Sequence, residues 1–155
     1  MEIDQPLRVF RGHPLDIVVS SMSSDAHTWN LVYLQLLLEE QGHRVTNLGA
    51  CVPDRDLVAH CRAALPDLIV LSSVNGHGAQ DGLRAIRALR RCAELAAIPV
   101  VIGGKLDTAG GHGTTTADRL LAAGFEAVFA EDSAIGAFRS FVATLPRRAV
   151  KLVGA

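Results

Sequence analysis

The sequence predicts an α/β protein: a five-stranded parallel sheet between helical layers, a flavodoxin-like (Rossmann-like) three-layer fold. Three observations predict it. Short runs rich in Val, Ile and Leu recur along the 155 residues, nearly continuous rather than alternating, as in strands covered on both faces. A helical stretch follows each run, and repeated βα units argue a parallel sheet. Right-handed crossovers then favour the strand order 2-1-3-4-5, in which a ligand sits beyond the carboxyl ends of the strands, near the switch between the first and the third.

The first strand is Asp16–Ser21. The helix Trp29–Gln41 follows, with Leu31, Leu34, Leu37 and Leu38 near one face and Gly42 as its stop. The second strand, Arg44–Leu48, leads to the helix Asp54–Ala64, which Pro53-Asp54 starts and Pro66 limits. The third strand, Leu68–Ser72, leads to the helix Ala79–Leu95, built on Leu83, Ile86 and Leu89. Arg84, Arg87, Arg90 and Arg91 give that helix a positive stripe, read as a solvated face, with a docking surface as the alternative. The fourth strand is Val100–Ile102, and its helix Thr114–Ala123 is closed by Gly124. The fifth strand is Ala127–Ala130, and its helix Ser133–Leu145 is closed by Pro146. Residues 1–155 read as a single domain, with an N-terminal extension, Met1–Leu15, and a tail, Arg147–Ala155, that is an extra short strand or disordered.

An apolar content of 49% allows a full core. With a formal charge of −1 and no long charged run, nothing indicates capture of nucleic acid or of a membrane surface. No apolar run is long enough to span a bilayer, and Met1–Leu15 lacks an apolar signal core, so a soluble cytoplasmic protein is expected. Cys51, Cys61 and Cys92 are odd in number and widely spaced, which suggests free, mostly buried thiols.

The strand order selects three loops. The loop after the first strand, Ser23 to Asn30, carries Asp25 and His27 two residues apart. Imidazole is a common transition-metal ligand, and a carboxylate on its other nitrogen fixes the tautomer and raises its basicity. The loop after the third strand reads Ser72-Ser73-Val74-Asn75-Gly76-His77-Gly78, and that after the fourth Gly103-Gly104-Lys105-Leu106-Asp107. Serine hydroxyls bond the polar atoms of a buried heterocycle, and glycines let a large ligand approach the backbone. Blander readings stand beside these. Asp25 caps the following helix, Ser72 and Ser73 only end a strand, Gly103-Gly104 is a plain turn, and Trp29 packs, against a partner or the corrin as one option. His27, His77 and His112 together form an alternative three-histidine metal site.

Taken together, these loops resemble the cobalamin-binding fold with its Asp-x-His-x-x-Gly, Ser-x-Leu and Gly-Gly motifs. Ser24-Asp25-Ala26-His27, Leu71-Ser72-Ser73-Val74-x-Gly76-x-Gly78 and Ile102-Gly103-Gly104-Lys105-Leu106 look like the small subunit of glutamate mutase, also called methylaspartate mutase. So do Val45-x-Asn47-Leu48-Gly49 and Ala123-Gly124-Phe125-Glu126-Ala127-Val128-Phe129; the likeness spans roughly Ile17 to Leu145. It implies that the cofactor's own benzimidazole leaves cobalt, that His27 becomes the lower axial ligand with Asp25 as its partner, and that the nucleotide tail enters a slot beside the sheet. Ser72 would bond the tail's base, Val74 would line the slot, and Gly103 and Gly104 would let the tail pass. Ser24, Ala26, Thr28, Asn30, Asn75, Gly76 and Lys105 complete the implied cofactor-binding set.

The implied function is an adenosylcobalamin-dependent carbon-skeleton isomerase converting glutamate to 3-methylaspartate. A separate catalytic barrel subunit would bind the amino-acid substrate, and no residue of this chain would act as an acid–base catalyst. The chain departs from the pattern at three places. Asn30 stands for the motif glycine, Val74 for the leucine, and Glu131-Asp132-Ser133 for a Pro-Gly type turn. Two alternatives follow: a non-catalytic corrinoid carrier or sensor, and a degenerate docking subunit that has lost cobalamin. A receiver domain shares the topology but needs a phosphorylatable Asp where Ser72-Ser73 stands. A flavodoxin would use Ser20-Ser21-Met22-Ser23-Ser24 as a phosphate loop.

Overall fold

The computed structural model describes residues 13–107, 114–130 and 134–146. Most of the Met1–Leu15 extension, the tail Arg147–Ala155, His112, Glu131, Asp132 and Ser133 lie outside the described residues. The strands are β1 (Asp16–Ser20), β2 (Arg44–Asn47), β3 (Leu68–Ser73), β4 (Val100–Gly104) and β5 (Ala127–Phe129). They form one parallel sheet in the order β2-β1-β3-β4-β5, as the sequence predicts.

Successive strand residues point to opposite faces. Ile17, Val19, Val70 and Val101 meet helices α1 (Trp29–Glu40) and α5 (Ala134–Thr144). Val18, Ile69, Leu71, Val100 and Ile102 meet α2 (Asp54–Ala64), α3 (Gly78–Arg90) and α4 (Thr114–Ala123). β3 lies at the centre and is buried throughout its length, which is why its sequence is a continuous apolar run. Among the described residues no helix is long and apolar enough to cross a membrane.

The boundaries differ from expectation where hydrogen bonding overrides composition. β3 and β4 run on to Ser73 and Gly104 because the parallel ladder continues through Ser72–Gly103 and Ser73–Gly104. β1 ends at Ser20, because the Ser21 N–H turns to the Gly49 carbonyl at 3.1 Å. The third helix begins at Gly78 and stops at Arg90; Ala93–Leu95 is a separate short 3-10 turn after an extended Cys92. Gly42 stops α1 as predicted, with φ of +87°.

Arg84, Arg87 and Arg91 of the positive stripe on α3 are exposed, as expected of a solvated face, but Arg90 is not. Arg90 donates from Nη1 to the carbonyls of Leu95, Ala96 and Ile98, and from Nε and Nη2 to that of Gly124. Its guanidinium caps the turn where the helix was expected to continue. Arg84 pairs with Asp54 and Asp81. Cys51, Cys61 and Cys92 are free, as expected, but Cys51 is exposed rather than buried. Burial pushes the Cys61 thiol up to about 12, which makes it inert.

Gly104 adopts φ of +99°, and a Cβ there would lie 2.1 Å from the Ser73 carbonyl oxygen. A Cβ on Gly103 would meet the Phe129 carbonyl oxygen at 2.9 Å. Both glycines are therefore demanded by the neighbouring strands. Gly49 has a similar φ of +88° but open space around it. Gly104→Ala is expected to lower the unfolding free energy by roughly 3 kcal/mol or more, through clash added to backbone strain. Gly49→Ala is expected to cost about 1 kcal/mol, through the backbone alone. Urea unfolding of the two variants checks this; equal losses would mean that β3 and β4 separate freely at Gly104.

Candidate cofactor site

The loops after β1 and β3 emerge side by side, and one carboxylate joins them. Asp25 is 1% exposed. Its Oδ1 accepts from the His27 backbone N–H at 2.9 Å and lies 2.6 Å from His27 Nδ1. Its Oδ2 accepts from the Val74 N–H at 2.7 Å and the Ser73 hydroxyl at 2.9 Å. Burial alone would raise the carboxyl pKa, but the N–H groups of His27 and Val74, then the His27 and Ser73 side chains, hold it down at about 2. Asp25 does not cap α1; Thr28 occupies that position and makes no side-chain cap bond.

With Asp25 ionised, the proton on the His27 ring sits at Nδ1 and the lone pair at Nε2. Nε2 has no partner among the described residues, and the side chain is half exposed. The loop thus presents one oriented nitrogen donor to an incoming group. The three-histidine alternative gains nothing here. No cluster of three metal-ligating side chains occurs among the described residues, exposed His77 sits at the start of α3, and His112 lies outside them.

Further bonds fix the loop. The Asp25 carbonyl accepts from Cys51 N–H at 2.9 Å and the Ser21 hydroxyl at 3.1 Å. Ser24 Oγ donates to Asp81, and Arg84 Nη2 bonds Ser23 Oγ at 2.7 Å and Asp81 at 2.9 Å. Asn75 Nδ2 reaches the Ser24 carbonyl at 2.9 Å. These contacts occupy the serines of the flavodoxin alternative: Ser20 and Ser21 donate to backbone carbonyls, and Ser23 and Ser24 face Arg84 and Asp81. Sequence reasoning missed Asp81, Arg84 and the tie from Ser73 to Asp25. Ser73 and Asp25 lie 48 positions apart, and only a search for donors to a buried carboxylate would have joined them.

Beside His27 a cavity of about 450 Å³ opens between α1 and α5. Trp29, Tyr33 and Leu34 form one wall, Ile135 and Phe138 the other, with Val70, Val101 and Gly103 beneath; Val74, Gly104 and Lys105 also line it. Asn30 is 6% exposed and lines the cavity with Ser72. Its Nδ2 donates to Ser72 Oγ at 2.9 Å, while its Oδ1 is buried with no partner. Asn30 therefore forms part of the wall and leaves the slot open. Ala26, Thr28 and Ser24 are exposed on the His27 loop, and Gly76 turns the β3 loop with φ of +84°. Trp29 is 67% exposed and starts an apolar stripe on α1 with Val32, Tyr33 and Leu36.

The B12 binding domain family model matches residues 15–138, a span that holds all three loops. A glutamate mutase sigma subunit from Fusobacterium nucleatum is 31% identical over 115 residues, covering 73% of this chain and 82% of that protein. The HTH-type transcriptional repressor CarA of Myxococcus xanthus is 37% identical over 83 residues, covering 53% of this chain and 28% of that protein. A solved cobalamin-binding protein from Desulfitobacterium hafniense DCB-2 superposes with a TM-score of 0.66 at 21% identity. That match covers 83% of this chain and 58% of the other, and it speaks for the fold alone.

Asp25→Ala takes the acceptor from the part-buried Val74 N–H and the buried Ser73 hydroxyl and is expected to lower the unfolding free energy by about 2 kcal/mol. The folded carboxyl titrates at about 2, below its ordinary 3.8, so its contribution is complete above that range and disappears as the pH falls towards 2. Urea unfolding at stepped pH should show the gap between wild type and Asp25→Ala close in acid. A gap independent of pH would mean that the charge of Asp25 contributes nothing.

Proposed function

The chain belongs to the B12 binding domain family and is of the glutamate mutase sigma subunit type, and we propose that it carries cobalamin on His27 for a separate catalytic subunit. The observation that carries this reading is the Asp25–His27 pair, which leaves Nε2 open beside an apolar slot. The residues fit the group. An imidazole held by a carboxylate suits cobalt, and the slot beside it is open and lined mostly by apolar side chains.

When bound, adenosylcobalamin supplies a cobalt–carbon bond whose homolysis starts radical chemistry. The chain's own part is binding and orientation. His27 would hold the cobalt through Nε2, Asp25 fixes the His27 ring through Nδ1, and Ser72 would bond the tail's base. Val74, Gly103 and Gly104 shape the passage, Asn75 and Gly76 hold the β3 loop against Ser24, and Ala26, Thr28 and Lys105 edge the mouth. The reaction assigned is conversion of glutamate to 3-methylaspartate on a cytoplasmic barrel partner that binds the amino acid. The exposed stripe Trp29, Val32, Tyr33 and Leu36, continuous with the slot, supports an interface there. A second reading, a corrinoid sensor or carrier that acts without a mutase partner, draws support from the likeness to CarA.

The test is the visible spectrum after adding hydroxocobalamin and desalting, with wild type beside His27→Ala. Retained colour, with a spectrum that differs in His27→Ala, is the expected result. An identical spectrum in both would remove His27 from cobalt, and no retained colour would favour a subunit that has lost the cofactor. Glutamate-dependent turnover on adding a catalytic subunit then separates a mutase from a sensor.

A further inference from the structure

We propose that the groove between α2 and α3 docks an acidic amphipathic helix of a partner protein. These two helices pack on the face of the sheet opposite to α1 and α5. The groove is therefore separate from the slot, and the proposal does not depend on what fills the slot.

The groove measures about 860 Å³ and opens to solvent. Cations line it at matched spacing: Arg55 and Arg62 from α2, and Arg84, Arg87 and Arg91 from α3. Arg55 and Arg62 stand seven positions apart, as do Arg84 and Arg91. That is two turns, or about 10 Å, along each helix. The rest of the lining is mainly apolar, with Val58, Ala59, Leu83 and Ala88.

The cations differ in how far the chain itself satisfies them. Arg84 is taken by Asp54, Asp81 and Ser23, and Arg62 reaches Glu94 at 3.3 Å. Arg55 meets its neighbour Asp56 at 3.5 Å. Arg87 and Arg91 are exposed and make no ion pair among the described residues. They stand four positions apart, and like charges at that spacing work against the helix that carries them. A carboxylate brought between them removes that cost and gains charge-assisted hydrogen bonds.

An occupant has to answer both chemistries. A helix with carboxylates at three-, four- and seven-residue spacing and leucine-type side chains between them offers anions to Arg87, Arg91 and Arg55. Its apolar face meets Val58 and Leu83. A nucleic-acid backbone answers the charge alone. Its phosphates leave the apolar lining unmet and pass Asp56 and Glu94, half-exposed carboxylates beside Arg55 and Arg62. A helix leaves those positions neutral.

The experiment measures the fluorescence anisotropy of labelled probes titrated with the full chain, without corrinoid, at low and at high salt. The probes are an amphipathic Leu/Glu peptide of about sixteen residues, a scrambled peptide of the same composition, a version with Lys for Glu, and a short DNA duplex. Wild type is expected to bind the Leu/Glu helix about tenfold tighter than the scrambled peptide, and less tightly as salt rises. Arg87→Ala with Arg91→Ala is expected to lower that affinity about tenfold, the worth of two partly exposed ion pairs. Arg87→Glu with Arg91→Glu is expected to exchange the preference in favour of the Lys version. Circular dichroism checks the folding of both double variants. Equal affinity for the scrambled peptide, tighter binding of the duplex, an affinity that survives both double variants, or no binding of the Leu/Glu helix would each overturn the proposal. The cobalamin reading stands or falls separately, on the His27 spectrum.

Discussion

The carboxylate of Asp25 serves two loops at once, and the geometry of the candidate site depends on it. Oδ1 stays within its own loop, on the backbone and ring of His27; Oδ2 reaches the end of β3 at Ser73 and Val74. A buried charge is costly unless hydrogen bonds replace its hydration. Here four contacts do so, and the low pKa is their signature. Because β1 and β3 are neighbours with their loops diverging at the switch point, this tie holds together the place where the fold opens. The imidazole is oriented by the protein alone, so a ligand meets a ring already set.

The same loop is held from behind. The Asp25 carbonyl is bonded to Cys51 and Ser21, and Arg84 and Asp81 of α3 grip Ser23 and Ser24. Cys51 adopts φ of +51°, unusual for a residue with a side chain, and its N–H is the one that meets Asp25. Three helix-bearing connections therefore converge on a short stretch of chain. A disturbance in α2 or α3 has a short polar route to His27.

What could be read in the sequence follows from which forces were local. The five strands and their order were legible because a parallel sheet buried on both faces writes itself as apolar runs. Gly42 and Pro53 marked helix ends through backbone chemistry alone. The Asp25–His27 pair was legible because its partners are two residues apart. The tie to Ser73, the clamp by Arg84 and the capping role of Arg90 were not, since each joins elements distant in sequence. Arg90 reads as one more member of the exposed arginine stripe on α3 until the carbonyls around it are in view. The leucines of α1 pointed correctly to the core, but the helix is apolar on its outer side too, and periodicity has nothing to say about a face meant for another surface. Gly103 and Gly104 were read as clearance for a ligand; the crowding by Phe129 and Ser73 shows that the sheet itself requires them.

Trp29 has one more consequence. It is the chain's single tryptophan, and it stands two-thirds exposed on the wall of the slot. The ultraviolet emission of the protein therefore originates beside the candidate site and nowhere else. A coloured occupant there dims it, and a surface that covers α1 shifts it to the blue. The fold carries its own fluorescent probe, and neither a label nor an engineered residue is needed to follow the slot in solution.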